Sequence, residues 1–222
     1  MTSSTCEIQK MWRIFSAGKS SIFELRALAP IGIVPKLKPV TKHFRAAAYE
    51  DVEVCKRAFE QEALRLNAGG YNIYIVMNPI KTGFTGHAAG DADISRRSVL
   101  LIDIDRAVKA EVPATDEEVA AAGAMADEVK GYLALHGWVE PNRVMSGNGH
   151  HLYYALPDMP NDAQTKGFVQ SLLKQLAAEF DNATVKIDTT VFNASRITKV
   201  VGTIARKGMA SPGRPYRMAR ML

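Results

Sequence analysis

The sequence is poor in the residues that build metal fingers and disulfide frameworks. It has two cysteines in 222 residues. Cys6 and Cys55 lie far apart, and neither forms a Cys-x-x-Cys pair or joins a histidine at ligand spacing. A zinc ribbon and a disulfide scaffold are therefore excluded, and the reducing cytoplasm is the expected compartment. No apolar run approaches the roughly 18 residues of a membrane span. The start, Met1-Thr2-Ser3-Ser4-Thr5, lacks the basic-then-apolar order of a secretory signal. A Walker loop is missing: the nearest match, Gly18-Lys19-Ser20, needs a glycine where Arg13 stands. Acidic residues are absent after Asp188.

What is present is a globular composition, 47% hydrophobic and 23% charged. The length fits one or two domains with a real core. The formal net charge of +5 is unevenly spread. Residues 1–50 carry +5, residues 51–188 carry −7, and residues 189–222 carry +7. A solvated basic face and a polyanion site both account for such a tail, so the motifs must decide between them.

Three segments have helical periodicity. Val52, Cys55, Phe59, Ala63 and Leu66 form the first stripe, stopped by Asn67-Ala68-Gly69-Gly70. Val119, Ala122, Ala126, Val129 and Leu133 form the second. Thr115 and Glu118 make its capping box, and Gly137 suits its end. The third runs from about Asn161 to Phe180 with Phe168, Leu172 and Leu176 on one face, Asn161 and Gln164 standing at its cap. Strands are expected at 23–28, 43–46, 71–77, 99–105, 185–188 and 216–221. Segments 143–146 and 151–156 flank Gly147-Asn148-Gly149 as a hairpin. Helices and strands alternate with hairpins between them, which predicts an α/β or α+β layer with a mixed sheet.

The sharpest feature is Val99-Leu100-Leu101-Ile102-Asp103-Ile104-Asp105. Side chains alternate along a strand, so Asp103 and Asp105 share one face, about 6–7 Å apart. Two carboxylates on so apolar a strand need neutralisation, and hard oxygen ligands select Mg²⁺ or Mn²⁺. The competing reading is a strand that has simply reached water. Asp188, ending Val185-Lys186-Ile187, supplies a third carboxylate that would complete a metal site of the kind used in phosphoryl transfer.

Ser146-Gly147-Asn148-Gly149-His150-His151 lets backbone approach a phosphate. It is not a dinucleotide fingerprint, because Leu152 stands where the third glycine belongs and no helix follows. His150 and His151 point to opposite faces of a strand, so they cannot share one metal. That argues against a replication-initiator endonuclease, whose two histidines are separated by one residue. One histidine belongs to the site and the other is solvated or hydrogen-bonded; His43, His87 and His136 read as structural. Arg196 and Lys199, soon after Asp188, are the groups a triphosphate needs.

Taken in order, these motifs resemble the archaeo-eukaryotic primase superfamily, in the prim-pol branch of phages, plasmids and mobile elements. LLIDID carries Asp103 and Asp105, SGNGHH carries Ser146 and His151, and KIDTTVFNASRITKVVGT carries Asp188, Arg196 and Lys199. The lead-in DADISRRS (91–98), the strand YNIYIVMNP (71–79) and the tail Arg214-Pro215-Tyr216-Arg217 match as well, so the resemblance runs from about Ile22 to Leu222. It implies an RRM-like catalytic unit, about 96–222, packed against an α/β unit, about 1–95, in one catalytic domain. The implied activity is template-directed DNA primase or DNA polymerase chemistry, a nucleotidyltransferase using NTP or dNTP with a single-stranded DNA template and a primer.

By the same resemblance, Asp103, Asp105 and Asp188 hold Mg²⁺ or Mn²⁺. Ser146, Gly147, Asn148, Gly149 and His151 hold the triphosphate, His151 counting as catalytic, and Arg196, Lys199 and Lys207 contact the phosphates. Two features depart from the family. The cysteines of a zinc module are missing, and so are the helical or helicase modules that often follow. The chain ends inside an expected strand, so a catalytic module excised from a longer protein, with a helicase or helical partner elsewhere in it, is expected. Two alternatives remain: a repair or defence polymerase without de novo priming, and a single-strand-binding RRM-like module. The second lacks the basic-aromatic RNP strand that such a module needs.

Overall fold

The computed structural model describes residues 3–15, 22–32, 37–108 and 110–222. The Gly18–Ser20 segment lies outside the described residues. The described elements are α1 (Ser3–Lys10), α2 (Trp12–Phe15), β1 (Ile22–Leu28), β2 (Val40–Arg45), α3 (Val52–Ala68), β3 (Asn72–Val76), β4 (Arg96–Arg106), α4 (Asp116–Leu135), β5 (Asn142–Met145), β6 (His150–Pro160), α5 (Ala163–Phe180), β7 (Val185–Ile187), β8 (Ile197–Lys199), β9 (Ile204–Ala205), β10 (Arg217–Met218) and β11 (Arg220–Met221). The expected terminal strand is broken in two at Ala219.

The strands form two sheets and a small ribbon. The first sheet has the order β2-β1-β3-β8, the second β11-β5-β6-β4-β7, and β9 pairs with β10. Every pairing between named strands is antiparallel, where the sequence predicts a mixed sheet. The reason lies in the crossovers. The α4 connection joins β4 to β5, but β6 inserts between them. The α5 connection joins β6 to β7, but β4 lies between those two. Each crossover leaves room for one strand of opposite direction, the split βαβ arrangement of RRM-like sheets. β8 comes from far beyond residue 95 and yet pairs with β3, so the first sheet takes its edge from late in the chain.

The helices form for reasons written locally. The Asp51 side chain accepts from Val54 N at the start of α3, and Cys55, Phe59, Ala63 and Leu66 are buried as predicted. Thr115 and Glu118 form the expected capping box on α4. In α5 the cap is Asp162, accepting from Thr165 N, and the buried face is Thr165, Val169, Leu173 and Leu176. Phe168 is exposed. The buried face is thus rotated from the predicted one, and Asn161 is no cap: its amide donates to the Asp91 and Ile94 carbonyls.

Alternation along β4 and β6 sorts side chains between two environments. Ile104 lies opposite His150 and Ile102 opposite Leu152, on the face packed by α4. Asp103 lies opposite His151 and Leu101 opposite Tyr153, on the face toward the first sheet. Arg106, buried at the end of β4, donates to the Ala110, Val112 and Pro113 carbonyls and to Glu118 Oε2 at 3.0 Å. Arg214 grips the same carboxylate at 2.9 and 3.2 Å, and Thr115 N donates to it at 2.8 Å. Glu118 therefore ties β4, α4 and the C-terminal segment together. Burial pushes its carboxyl up, but Arg214, Thr115 N and Arg106 outweigh that and bring it down to about 2.

A depressed carboxyl contributes stability that is present above its ordinary pKa and lost as pH falls through the folded value. Glu118→Gln is expected to lower the unfolding free energy at pH 7 by about 1–3 kcal/mol. The gap to the parent should narrow between pH 4.5 and about 2. Urea titrations at pH 7 and in this acid range check both the size and the sign.

Candidate active site

β4 reaches the gap between the sheets with Asp103 and Asp105 on its inner face. His151 Nε2 is 3.3 Å from Asp103 Oδ1. Burial pushes the Asp103 carboxyl up, but His151, Arg196 and Lys207 more than offset this and hold it below the usual carboxylate range. Asp105 moves the other way, raised by burial and then by the charge of Asp103. Asp188 arrives beside this pair because its N–H donates to the Asp103 carbonyl at 2.8 Å. Its own Oδ1 accepts from Thr190 N and Thr190 Oγ1 at 2.8 and 2.7 Å.

The 146–149 turn abuts the same strand. Ser146 Oγ donates to the Gly149 carbonyl at 3.1 Å, and Asn148 Oδ1 accepts from Ala114 N at 2.9 Å. The glycines serve close packing. A Cβ on Gly149 would lie 2.3 Å from the Ile104 carbonyl oxygen and 3.3 Å from Asp105 Oδ1. Gly147 has φ +109°, and its Cβ would meet Ala205 Cβ at 2.4 Å. Ser146 and Asn148 line the cleft; Gly147 and Gly149 support it from behind.

The opposite wall is cationic. Arg196 donates from Nη2 to the Thr190 carbonyl, while its buried Nε has no hydrogen-bond partner. Lys199 Nζ donates to the Ile204 carbonyl at 3.1 Å and lies 5.7 Å from the Tyr74 ring centre. Burial, and then Arg206, bring Lys199 down to about 7. Arg206 and Lys207 are held in place by asparagines: Asn67 bonds both backbone groups of Ile204, and Asn72 bonds both of Arg206. Asp103, Asp105, Asp188, Ser146, Asn148, His151, Arg196, Lys199 and Lys207 thus all line one cleft of about 460 Å³.

Three positioning side chains have no place in the sequence-based site. Asp91 Oδ1 accepts from Ser195 N and Ser195 Oγ at 2.8 and 2.7 Å. Asn78 donates to the Ala194 carbonyl at 3.0 Å and accepts from Ser98 N and Val99 N. Arg97 donates to the Phe192 carbonyl at 2.7 Å. Together they fix the 192–196 segment that presents Arg196. Their sequence signal is membership of the DADISRRS and YNIYIVMNP segments, where the sequence assigns them no role. His150 leaves the site for the other face, buried against Gly123 of α4. Burial, then Arg143 and His151, lower it to about 4, so it is held neutral and unsolvated. His43 is structural, 2.9 Å from buried Glu24, and His136 lies 2.8 Å from the Tyr132 carbonyl.

No family model matches the chain, and no curated protein matches it. Two solved structures do. One is titled "Crystal structure of primase RepB'", with TM-score 0.56 and 14% identity, covering 99% of this chain and 56% of that one. This chain therefore spans little more than half of its length. The other is the polymerase domain from Mycobacterium tuberculosis ligase D in complex with DNA, with TM-score 0.53 and 14% identity, covering 96% of this chain and 79% of that one. The chain has the prim-pol fold.

In this prim-pol fold the acidic pair lies on one sheet, while the cationic wall comes from the edge strand of the other and the loops beside it. Among the described residues, no group of three His, Cys, Asp or Glu side chains is close enough to hold a metal ion. The pair Asp103 and Asp105 nevertheless fits one in chemistry. Both are hard oxygen donors, and Asp105 is raised by burial and then by its neighbour's charge, a repulsion that a divalent cation relieves. Asp188 stands beside them with one oxygen committed to Thr190. No helix among the described residues is long and apolar enough to cross a membrane.

The glycine contacts give a paired expectation. Gly149→Ala forces backbone apart beside Asp105 and is expected to cost about 1–3 kcal/mol. Gly131→Ala, on α4 with no atom near its Cβ, is expected to stabilise by about 0.5–1 kcal/mol. Thermal unfolding of the two variants should shift in opposite directions.

Proposed function

We propose that this chain is a template-directed nucleotidyltransferase, a primase-polymerase that adds NTP or dNTP to a primer strand, or begins one, on single-stranded DNA. The observation that carries the reading is the opposition of Asp103 and Asp105 to Arg196, Lys199 and Lys207 across one cleft. A binding module has no need of a half-buried carboxylate pair at its centre. The titles of the two similar structures, a primase and a DNA-bound polymerase domain, support the same class.

In this reading Arg196 and Lys207, both lining the cleft, bind the triphosphate of the incoming nucleotide. Lys199 adds charge from the floor. Ser146 and Asn148 present a hydroxyl and an amide beside the phosphates, and His151 offers a ring N–H. Asp103, Asp105 and Asp188 would hold Mg²⁺ or Mn²⁺, which supplies charge neutralisation for the 3′-hydroxyl and the pyrophosphate leaving group. The protein's part is orientation: it keeps the α-phosphate near the acidic pair and excludes bulk water with the two sheets. The basic residues outside the cleft face the template, and their signature is salt-sensitive binding.

Purified chain, single-stranded template, labelled nucleotides and Mg²⁺ or Mn²⁺, with and without primer, test the reading. Extended product is expected, and the primer-free arm separates priming from extension. No product in any combination, with DNA binding intact, overturns it. Asp103→Asn is expected to lower turnover by at least about 100-fold while the unfolding midpoint stays close to that of the parent. Arg196→Ala should raise the nucleotide KM by about tenfold or more with a smaller effect on kcat, the pattern of a lost ground-state contact. Steady-state kinetics distinguish these two outcomes.

A further inference from the structure

β6 sends His151 and Tyr153 to the same face, two residues apart. Tyr153 is almost wholly buried, and its Oη lies 2.8 Å from His151 Nδ1 and 2.6 Å from Thr198 Oγ1. Thr198, also buried, belongs to β8 and hence to the other sheet. Its Oγ1 is 3.5 Å from His151 Nδ1. Phe15 packs edge-on against the Tyr153 ring, at 5.8 Å between centres. On the far side of the imidazole, Nε2 faces Asp103 Oδ1 at 3.3 Å.

Only one tautomer of a neutral ring satisfies all four groups. An ionised carboxylate accepts and never donates, so the nitrogen facing Asp103 carries the hydrogen. His151 Nδ1 is then a lone pair and must receive a hydrogen bond. Tyr153 Oη–H provides it, and Thr198 Oγ–H donates in turn to Tyr153 Oη. The opposite tautomer would set a bare nitrogen against a carboxylate. Burial pushes the Tyr153 hydroxyl well above its ordinary range, so it keeps the proton it must give.

We propose that Tyr153 and Thr198 are positioning residues that hold the His151 ring by its Nδ1, so that the Nε2–H set by Asp103 stays aimed into the cleft as a donor. The inference rests on the reading of the cleft as a nucleotide site, where the N–H passes from Asp103 to a phosphate oxygen of the incoming nucleotide. His151 then serves as a fixed hydrogen-bond donor and not as a base. Because the relay bridges β6 and β8, it also sets the spacing between the strand carrying His151 and the strand carrying Lys199. Thr198 lies between Arg196 and Lys199 in sequence, so a shift of β8 moves both cations relative to the acidic pair.

The test uses the full chain labelled with [¹⁵N]histidine and long-range ¹H–¹⁵N correlation at neutral pH without nucleotide, the His151 signals being assigned by their loss in His151→Gln. The parent should show a protonated Nε2 and an unprotonated Nδ1. Tyr153→Phe should keep the tautomer but shift the Nδ1 resonance, which loses its hydrogen bond, and raise the nucleotide KM by about tenfold, with kcat less affected. Thr198→Val should do the same more weakly, and Thr198→Ser should restore both readouts. A protonated Nδ1 in the parent overturns the proposal. So does a folded Tyr153→Phe variant with unchanged Nδ1 resonance and KM. The spectrum needs no catalysis: a shifted Nδ1 resonance in a Tyr153→Phe chain, when the parent makes no product, sustains the brace and sinks the polymerase reading. Normal synthesis by the parent with an unshifted Nδ1 resonance in Tyr153→Phe does the reverse.

Discussion

Two carboxylates on one face of a buried strand are an electrostatic problem, and most of this molecule is arranged around it. Strand alternation gives Asp103 and Asp105 no choice of side. Once Ile102 and Ile104 pack toward α4, the acids must face the other sheet. There they find cations on a separate strand and loop, Arg196, Lys199 and Lys207. Their unlike titration shows that the compensation is uneven: Asp103 is held down by His151 and the cations, while Asp105 is left raised. Asp105 is therefore the carboxylate with the most to gain from a further positive charge.

The surrounding scaffold uses polar side chains as substitutes for secondary structure. Asn67 and Asn72 each bond both the N–H and the C=O of a single distant residue, as a neighbouring strand would. Asp91, Asn78 and Arg97 treat residues 192–196 in a similar way. Buried Glu24 collects Arg26, His43 and the Ala89 N–H, fastening the 80s loop to the first sheet. The segments that carry the cleft's basic groups have little regular structure of their own, and these bonds give them fixed positions.

What was legible in the sequence was local. The Asp103/Asp105 alternation, the 143–156 hairpin, the Thr115–Glu118 box and the α3 stripe each depend on residues within a few positions of one another. The collection of Asp188, His151 and Arg196 into one cleft followed from motif order. What escaped depended on distant pairing. Nothing near Ile197-Thr198-Lys199 says that it joins β3, and nothing near Asp91 points to Ser195. The α5 cap was misread because Asn161, a good cap by type, is drawn away by carbonyls about seventy residues earlier. The glycines of 147 and 149 were visible, but their use against Ala205 and Ile104 was not, since that is a matter of contact across strands.

The late arrival of β8 has a consequence for handling the chain as pieces. The first sheet is built almost entirely from residues before 77, yet its β3 edge is closed only by residues 197–199. A nascent or truncated chain lacking them presents Tyr74, Ile75 and Val76 as a bare apolar edge, the kind that pairs with other copies. During synthesis that edge stays open until residues 197–199 have been made. Shielding of the first sheet and completion of the cationic wall therefore happen in one event, and a partly made chain is sticky at the same time as it is incomplete.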